Sequence, residues 1–85
     1  MSDSPLPVPI TLAQLPLGGR ARILGHAEDA PKDVSLRLRN LGFRAGNVVE
    51  ARRRAPLNDP IVYRLLGYDM CLRNHEARHI TVTEL

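Results

Sequence analysis

Hydrophobic residues recur along this chain at two different periods. In RARILG, Ala21 and Ile23 share one face while Arg20, Arg22 and Leu24 take the other, the period-two alternation of a half-buried strand. His26 leaves that strand at its edge. NVVEARRRA repeats the pattern, with Val49 and Ala51 inward and Arg52 and Arg54 alternating outward. IVYRLL pairs back as the next strand, and Gly67, Tyr68 and Asp69 turn the chain into MCLRN, whose Met70 and Leu72 point inward while Cys71 and Arg73 point out. HEAR is long enough only for a helical turn, and HITVTEL closes the chain with Ile80 and Val82 in the core and His79 and Thr81 outside.

The second period belongs to a helix. Between EDAPKD and Gly42, Val34, Leu38 and Leu41 fall at i, i+4 and i+7, which makes a narrow apolar stripe on a helix spanning about residues 31–41. Asp29 is the expected cap, Pro31 fits the first turn, Asp33 complements the positive end of the helix dipole and Gly42 supplies a left-handed stop. Leu36 points away from the stripe, flanked by Arg37 and Arg39. Ahead of the first strand, Thr11 caps a short helical turn that presents Leu12 and Leu15 before Pro16 and the Gly18-Gly19 pair end it. Pro5, Pro7 and Pro9 block helix, so residues 1–10 are expected to form a flexible Pro-rich tail and residues 11–85 a single domain.

About five short strands and one inserted helix close most naturally as a small, strongly bent antiparallel β-barrel of SH3 type, a mainly β fold, because an open sheet this short leaves long edges uncovered. The competing arrangement is an open α+β sheet with the helix on one face. With 85 residues, one core is the limit. Phe43, Tyr63 and Tyr68 are its only aromatic residues, so that core is built from aliphatic side chains. One cysteine, Cys71, precludes an internal disulfide and suits a reducing compartment; no signal-like start or membrane-length apolar run is present, which predicts a cytoplasmic protein without membrane insertion.

Charge sharpens the picture. Eleven of the twelve Lys and Arg residues are Arg, concentrated between positions 37 and 64. Arg pairs bidentately with carboxylate or phosphate, so the pattern indicates an anionic partner, acidic protein or nucleic acid, or else a solvated basic face. A nucleic-acid-binding barrel would place Arg52, Arg53 and Arg54 on phosphates, but single-strand binders stack bases on aromatic residues that this chain scarcely has, so no nucleic acid is expected.

The sequence has no Gly-rich phosphate loop followed by Lys and no nucleophile elbow, and an enzyme is not expected. Its best metal-ligating constellation is Cys71, His75, Glu76 and His79, a spacing that offers soft and borderline ligands on either side of a turn. Ordinary polar positions around a turn are the simpler reading. What the spacing supports is weak surface binding of a divalent ion such as Zn(II) or Fe(II), bridging two molecules in a homodimer at most, with no cofactor required.

The order and spacing of these pieces resemble the FeoA family, ferrous iron transport protein A, and the related C-terminal barrel of DtxR-type iron-dependent repressors. The resemblance runs from about Leu12 to Val82, through Leu12, Leu15, Gly18, Ala21 and Ile23, the RLRNLGFRAG run, the APLNDPI hairpin and the closing MCLRNHEARHITV. In RAG the family usually carries a Pro before the glycine, so Ala45 leaves this turn less rigid. The resemblance implies an SH3-like accessory protein of ferrous iron uptake. It would be a non-catalytic module that docks on the cytosolic part of the FeoB permease and its GTP-binding domain. On that reading Leu36, Arg37, Arg39, Arg44, Arg54 and Leu57 are the partner-binding candidates. A detached repressor-type regulatory module is the alternative, weakened because the chain lacks an upstream helix-turn-helix.

Overall fold

The structure, a computed structural model, describes residues 8–85; residues 1–7, most of the expected tail, lie outside the described residues. The chain runs β1 (Ile10–Thr11), a 3-10 turn (Leu12–Gln14), β2 (Arg20–His26), α1 (Lys32–Leu41), β3 (Val48–Arg54), β4 (Ile61–Leu65), β5 (Tyr68–Leu72), α2 (Asn74–Ala77) and β6 (Ile80–Glu84). The strands form one antiparallel sheet in the order β1-β6-β2-β3-β4-β5. The sixth strand is the added β1, in which Ile10 pairs with Val82 and Thr11 with Thr81. Prolines at alternate positions forbid helix but still allow a short edge strand.

Two irregularities bend the sheet. Register shifts occur between Ile23 and Gly25 on β2 and between Ala51 and Arg53 on β3. An extra residue on one strand of an antiparallel pair kinks and twists it. The inward faces are those that the alternation specifies: Ala21 and Ile23, Val49 and Ala51, Ile61, Tyr63 and Leu65, and Ile80 and Val82 are all buried. Leu12 and Leu15 plug one end of this core from the 3-10 turn, and the buried Tyr63 hydroxyl donates to the Leu12 carbonyl at 3.3 Å. After the β3 bulge the alternation shifts phase. Arg52 and Arg53 are both exposed and Arg54, expected to point outward, is half-buried.

The helix departs from expectation at both ends. Pro31, in extended backbone, occupies the cap position, so Asp29 lies outside the helix in the preceding turn. At the other end Gly42 takes a left-handed φ of 111°, its N–H donates to the Arg39 carbonyl and the Phe43 N–H donates back to Leu38 at 3.0 Å. This six-to-one closure drives Phe43 into the core beside Leu38. Leu41, expected on the buried stripe, is therefore 40% exposed, and Ser35 is buried on the inner side.

The β4-β5 connection is also tighter than the sequence suggests. Leu66 and Gly67, with φ of 55° and 83°, make the whole turn, and Tyr68 and Asp69 already belong to β5. The β3-β4 hairpin loop is anchored from outside: Asp59 Oδ1 accepts the Asn74 N–H at 2.9 Å and the Asn58 carbonyl accepts from Asn74 Nδ2 at 3.1 Å. Among the described residues no helix is long and apolar enough to cross a membrane.

Candidate docking groove beside the helix

His26 stands at the end of β2, where the strand meets α1. Its Nε2 lies 2.7 Å from the Phe43 carbonyl, and its Nδ1 lies 2.9 Å from the hydroxyl of buried Ser35. A carbonyl only accepts, so Nε2 carries the proton and, in the neutral ring, Nδ1 accepts from Ser35. His26 thereby ties β2 to the middle of α1 and to the chain just after it. With both nitrogens engaged inside the chain, it forms part of a groove floor.

Over this floor lies a groove of about 540 Å³ lined by Ala27, Glu28, Ala30, Lys32, Leu36 and Arg39 along with His26 and Ser35. It adjoins a second hollow of about 380 Å³ lined by Gly25, His26, Arg39, Arg44 and Ala45. The two share His26 and Arg39 and adjoin along α1, a paired channel that reaches from the turn before the helix to the turn after it. Arg44 is oriented by an Nε hydrogen bond to the Arg39 carbonyl at 3.0 Å, at the negative end of the helix dipole. Leu36 is 60% exposed.

The six sequence-derived partner candidates separate into three places. Leu36, Arg39 and Arg44 line the channel. Arg37 lies elsewhere on α1, in an ion pair with Glu76 of α2. Arg54 and Leu57 belong to the β3-β4 hairpin, where Leu57 is 88% exposed and Arg54 approaches Tyr63. Sequence reading overlooked His26, Ser35, Ala27, Ala30 and Lys32. The one available signal was His26 at the strand edge, which periodicity alone assigns to no partner.

The metal-ligand candidates are not brought together. Cys71 is exposed on β5, His75 is exposed on α2 and His79 is half-buried just before β6. Glu76 is buried and has both oxygens engaged: Oε1 accepts the Arg73 N–H at 3.0 Å, capping α2, and Oε2 pairs with Arg37. Among the described residues no group of three His, Cys, Asp or Glu side chains is placed to hold a metal ion.

Part of the Arg-rich surface is neutralised within the chain. Arg52 pairs with Glu50 at 3.3 Å and Arg64 with Asp69 at 3.1 Å, both on the outer face of the sheet. Register also aligns Arg20 with Glu50 and Glu50 with Arg64, so acid and base alternate across the strands. Among the described residues Arg39 and Arg44 make no ion pair, as is also true of Arg20, Arg22, Arg53, Arg54 and Arg78. The fold thus leaves uncompensated positive charge at the channel.

Residues 10–84 match the FeoA domain. The chain belongs to the FeoA family. That family is linked to ferrous iron transport, and its solved members share this fold. The FeoA protein of Chlorobium tepidum is 37% identical, with a TM-score of 0.81 over 89% of this chain and 70% of that one. The zinc-complexed FeoA of Stenotrophomonas maltophilia, described as a procaryotic SH3 domain protein, is 29% identical, with a TM-score of 0.76 over 86% of this chain and 88% of that one. A manganese-dependent transcriptional repressor shares the fold at 17% identity, with a TM-score of 0.79 over 98% of this chain and 45% of that one. No curated protein matches the sequence. The expected SH3-like, mainly β class and membership of the FeoA family therefore hold, and the likeness to the repressor is one of fold.

Proposed function

We propose that this FeoA-family chain is a non-catalytic binding module of bacterial ferrous iron uptake. It acts in the cytoplasm by docking on the cytosolic part of a FeoB-type permease, in reach of that permease's GTP-binding domain. The observation that carries this reading is the channel beside α1, which gathers an exposed leucine, Leu36, and the unpaired Arg39 and Arg44 over a floor held rigid by His26. An aliphatic anchor rimmed by guanidinium groups is suited to protein recognition. The Stenotrophomonas relative, described as a candidate bacterial ferrous iron transport activating factor, supports the same direction.

Iron on this reading is the permease's cargo. Cys71, His75 and His79 offer adventitious surface contacts to a divalent ion, and titration with Zn(II) or anaerobic Fe(II) is expected to show weak binding. Nanomolar affinity lost on changing His75 and His79 to Ala would contradict it.

The docking reading is tested by co-purification with the permease's cytosolic domain. Leu36→Glu, which places a charge on the exposed face without touching the core, is expected to reduce capture by about tenfold or more. Capture equal to wild type removes the helix surface from the interface.

A further inference from the structure

We infer that the channel beside α1 receives a peptide segment of a partner protein that carries an aliphatic side chain followed by carboxylates. The inference rests on the docking reading above and specifies its partner's chemistry.

The channel is polar in a defined direction. Glu28 and Lys32 lie at the end formed by the turn before α1 and the start of the helix, together with the small Ala27 and Ala30, Leu36 borders the middle, and Arg39 and Arg44 line the far end. The middle accepts a methyl-bearing side chain, because Ala27 and Ala30 leave the space that Leu36 borders. At the far end, two guanidinium groups without acidic partners among the described residues offer planar donor pairs suited to carboxylates. Arg37, Arg52 and Arg64 are engaged by Glu76, Glu50 and Asp69, and the other Arg residues without an ion pair among the described residues, Arg20, Arg22, Arg53, Arg54 and Arg78, line neither hollow.

A metal-binding role for the channel is disfavoured by His26, whose two ring nitrogens are both hydrogen-bonded inside the chain. Nucleic acid fits less well, since the channel lining contains no aromatic ring on which a base could stack.

The test is titration of the isotopically labelled full chain by heteronuclear NMR with four probes. These are the peptide Lys-Ala-Leu-Glu-Glu, its charge-reversed counterpart Glu-Ala-Leu-Lys-Lys, a single-stranded oligonucleotide, and the cytosolic domain of the permease. The first peptide is expected to shift amides of residues 25–30, 32–39 and 44–45, and the reversed peptide to leave them unmoved. Arg39→Glu with Arg44→Glu is expected to weaken binding of the first peptide by about tenfold or more, and Ala45→Trp, which fills the hollow between them, to do the same. Arg78→Glu, an equal charge change on an exposed residue outside the channel, should stay within about twofold of wild type. Absence of channel shifts with the first peptide, equal shifts with the reversed peptide, or equal shifts with a single-stranded oligonucleotide would overturn the inference. If the first peptide seats in the channel and the permease domain binds nowhere, the permease reading alone fails. If the permease domain binds through the Leu57 hairpin and leaves the channel unmoved, the inference fails and the permease reading stands.

Discussion

The guanidinium of Arg37, half-exposed on α1, pairs with the carboxylate of Glu76, which is buried on α2. The same carboxylate accepts the Arg73 N–H and so caps α2, whose next residue, Asn74, holds the β3-β4 hairpin through Asp59 and Asn58. A single acid thus links the inserted helix, the terminal helical turn and the hairpin loop. Glu76→Gln keeps an acceptor for the cap and removes only the ion pair, and is expected to cost about 1 kcal/mol. Glu76→Ala removes both and is expected to cost about 2 kcal/mol or more. Denaturant unfolding of the two variants checks the order; equal midpoints would show that the cap contributes nothing.

His26 is expected to behave as a structural clamp with a fixed tautomer. His26→Ala leaves the Ser35 hydroxyl and the Phe43 carbonyl without their partner, at an expected cost of about 2–3 kcal/mol, while Ser35→Ala loses one hydrogen bond and should cost about 1 kcal/mol. Nitrogen NMR of the neutral imidazole should place the proton on Nε2. A proton found on Nδ1 would contradict the bond to Phe43.

What was legible in the sequence divides along the range of the interactions involved. Local alternation identified the buried pairs Ala21 and Ile23, Val49 and Ala51, and Ile80 and Val82, because a strand with one face in a core admits only one register. Helix phase likewise put Leu36 outside. Leu41 was misplaced because the end of α1 is set by Gly42, whose left-handed backbone hands the last core position to Phe43. The two-against-one count of the β3 bulge, absent from any simple alternation, half-buried Arg54. Glu76 looked like a surface acid available to a metal because its partner lies 39 positions earlier in the chain. Leu36, Arg39 and Arg44 were found as separate residues. Their union in one channel depends on His26 pinning β2 against α1, a contact between positions that no period relates.

Tyr63 is fully buried, and burial pushes its phenol up from 10.0 to about 12, against a smaller downward pull from Arg54 and with a further upward push from Asp59. Between these two values the folded chain holds the proton that the unfolded chain has released. Stability from this group is therefore constant below pH 10 and falls as the pH rises from 10 towards 12, by up to about 1.4 kcal/mol per pH unit. Comparing wild type with Tyr63→Phe in denaturant across that window isolates the effect, since the phenylalanine variant lacks this component of the slope. Identical slopes would mean that the phenol reaches solvent. At neutral pH the variant should cost about 1 kcal/mol for the lost bond to the Leu12 carbonyl.

Two glycines that look equivalent in the sequence are expected to respond differently to alanine. Gly42 and Gly46 both hold left-handed backbone, with φ of 111° and 96°, so each substitution carries a conformational cost of about 1 kcal/mol. Their surroundings differ. A Cβ at Gly46 meets nothing within 4 Å, whereas one at Gly42 falls 2.8 Å from Leu66 Cδ1 and 3.2 Å from Leu65 Cδ2. Leu65 is fully buried and cannot withdraw, and although Leu66 is 60% exposed, its side chain must leave its rotamer to make room. Gly42→Ala should therefore cost about 1–3 kcal/mol more than Gly46→Ala. Trimming Leu66 should recover part of that excess: Leu66→Ala in the Gly42→Ala background is expected to be less destabilising than the sum of the two single changes. Strict additivity in this double-mutant cycle would mean that the helix stop and the β4-β5 turn do not press on one another.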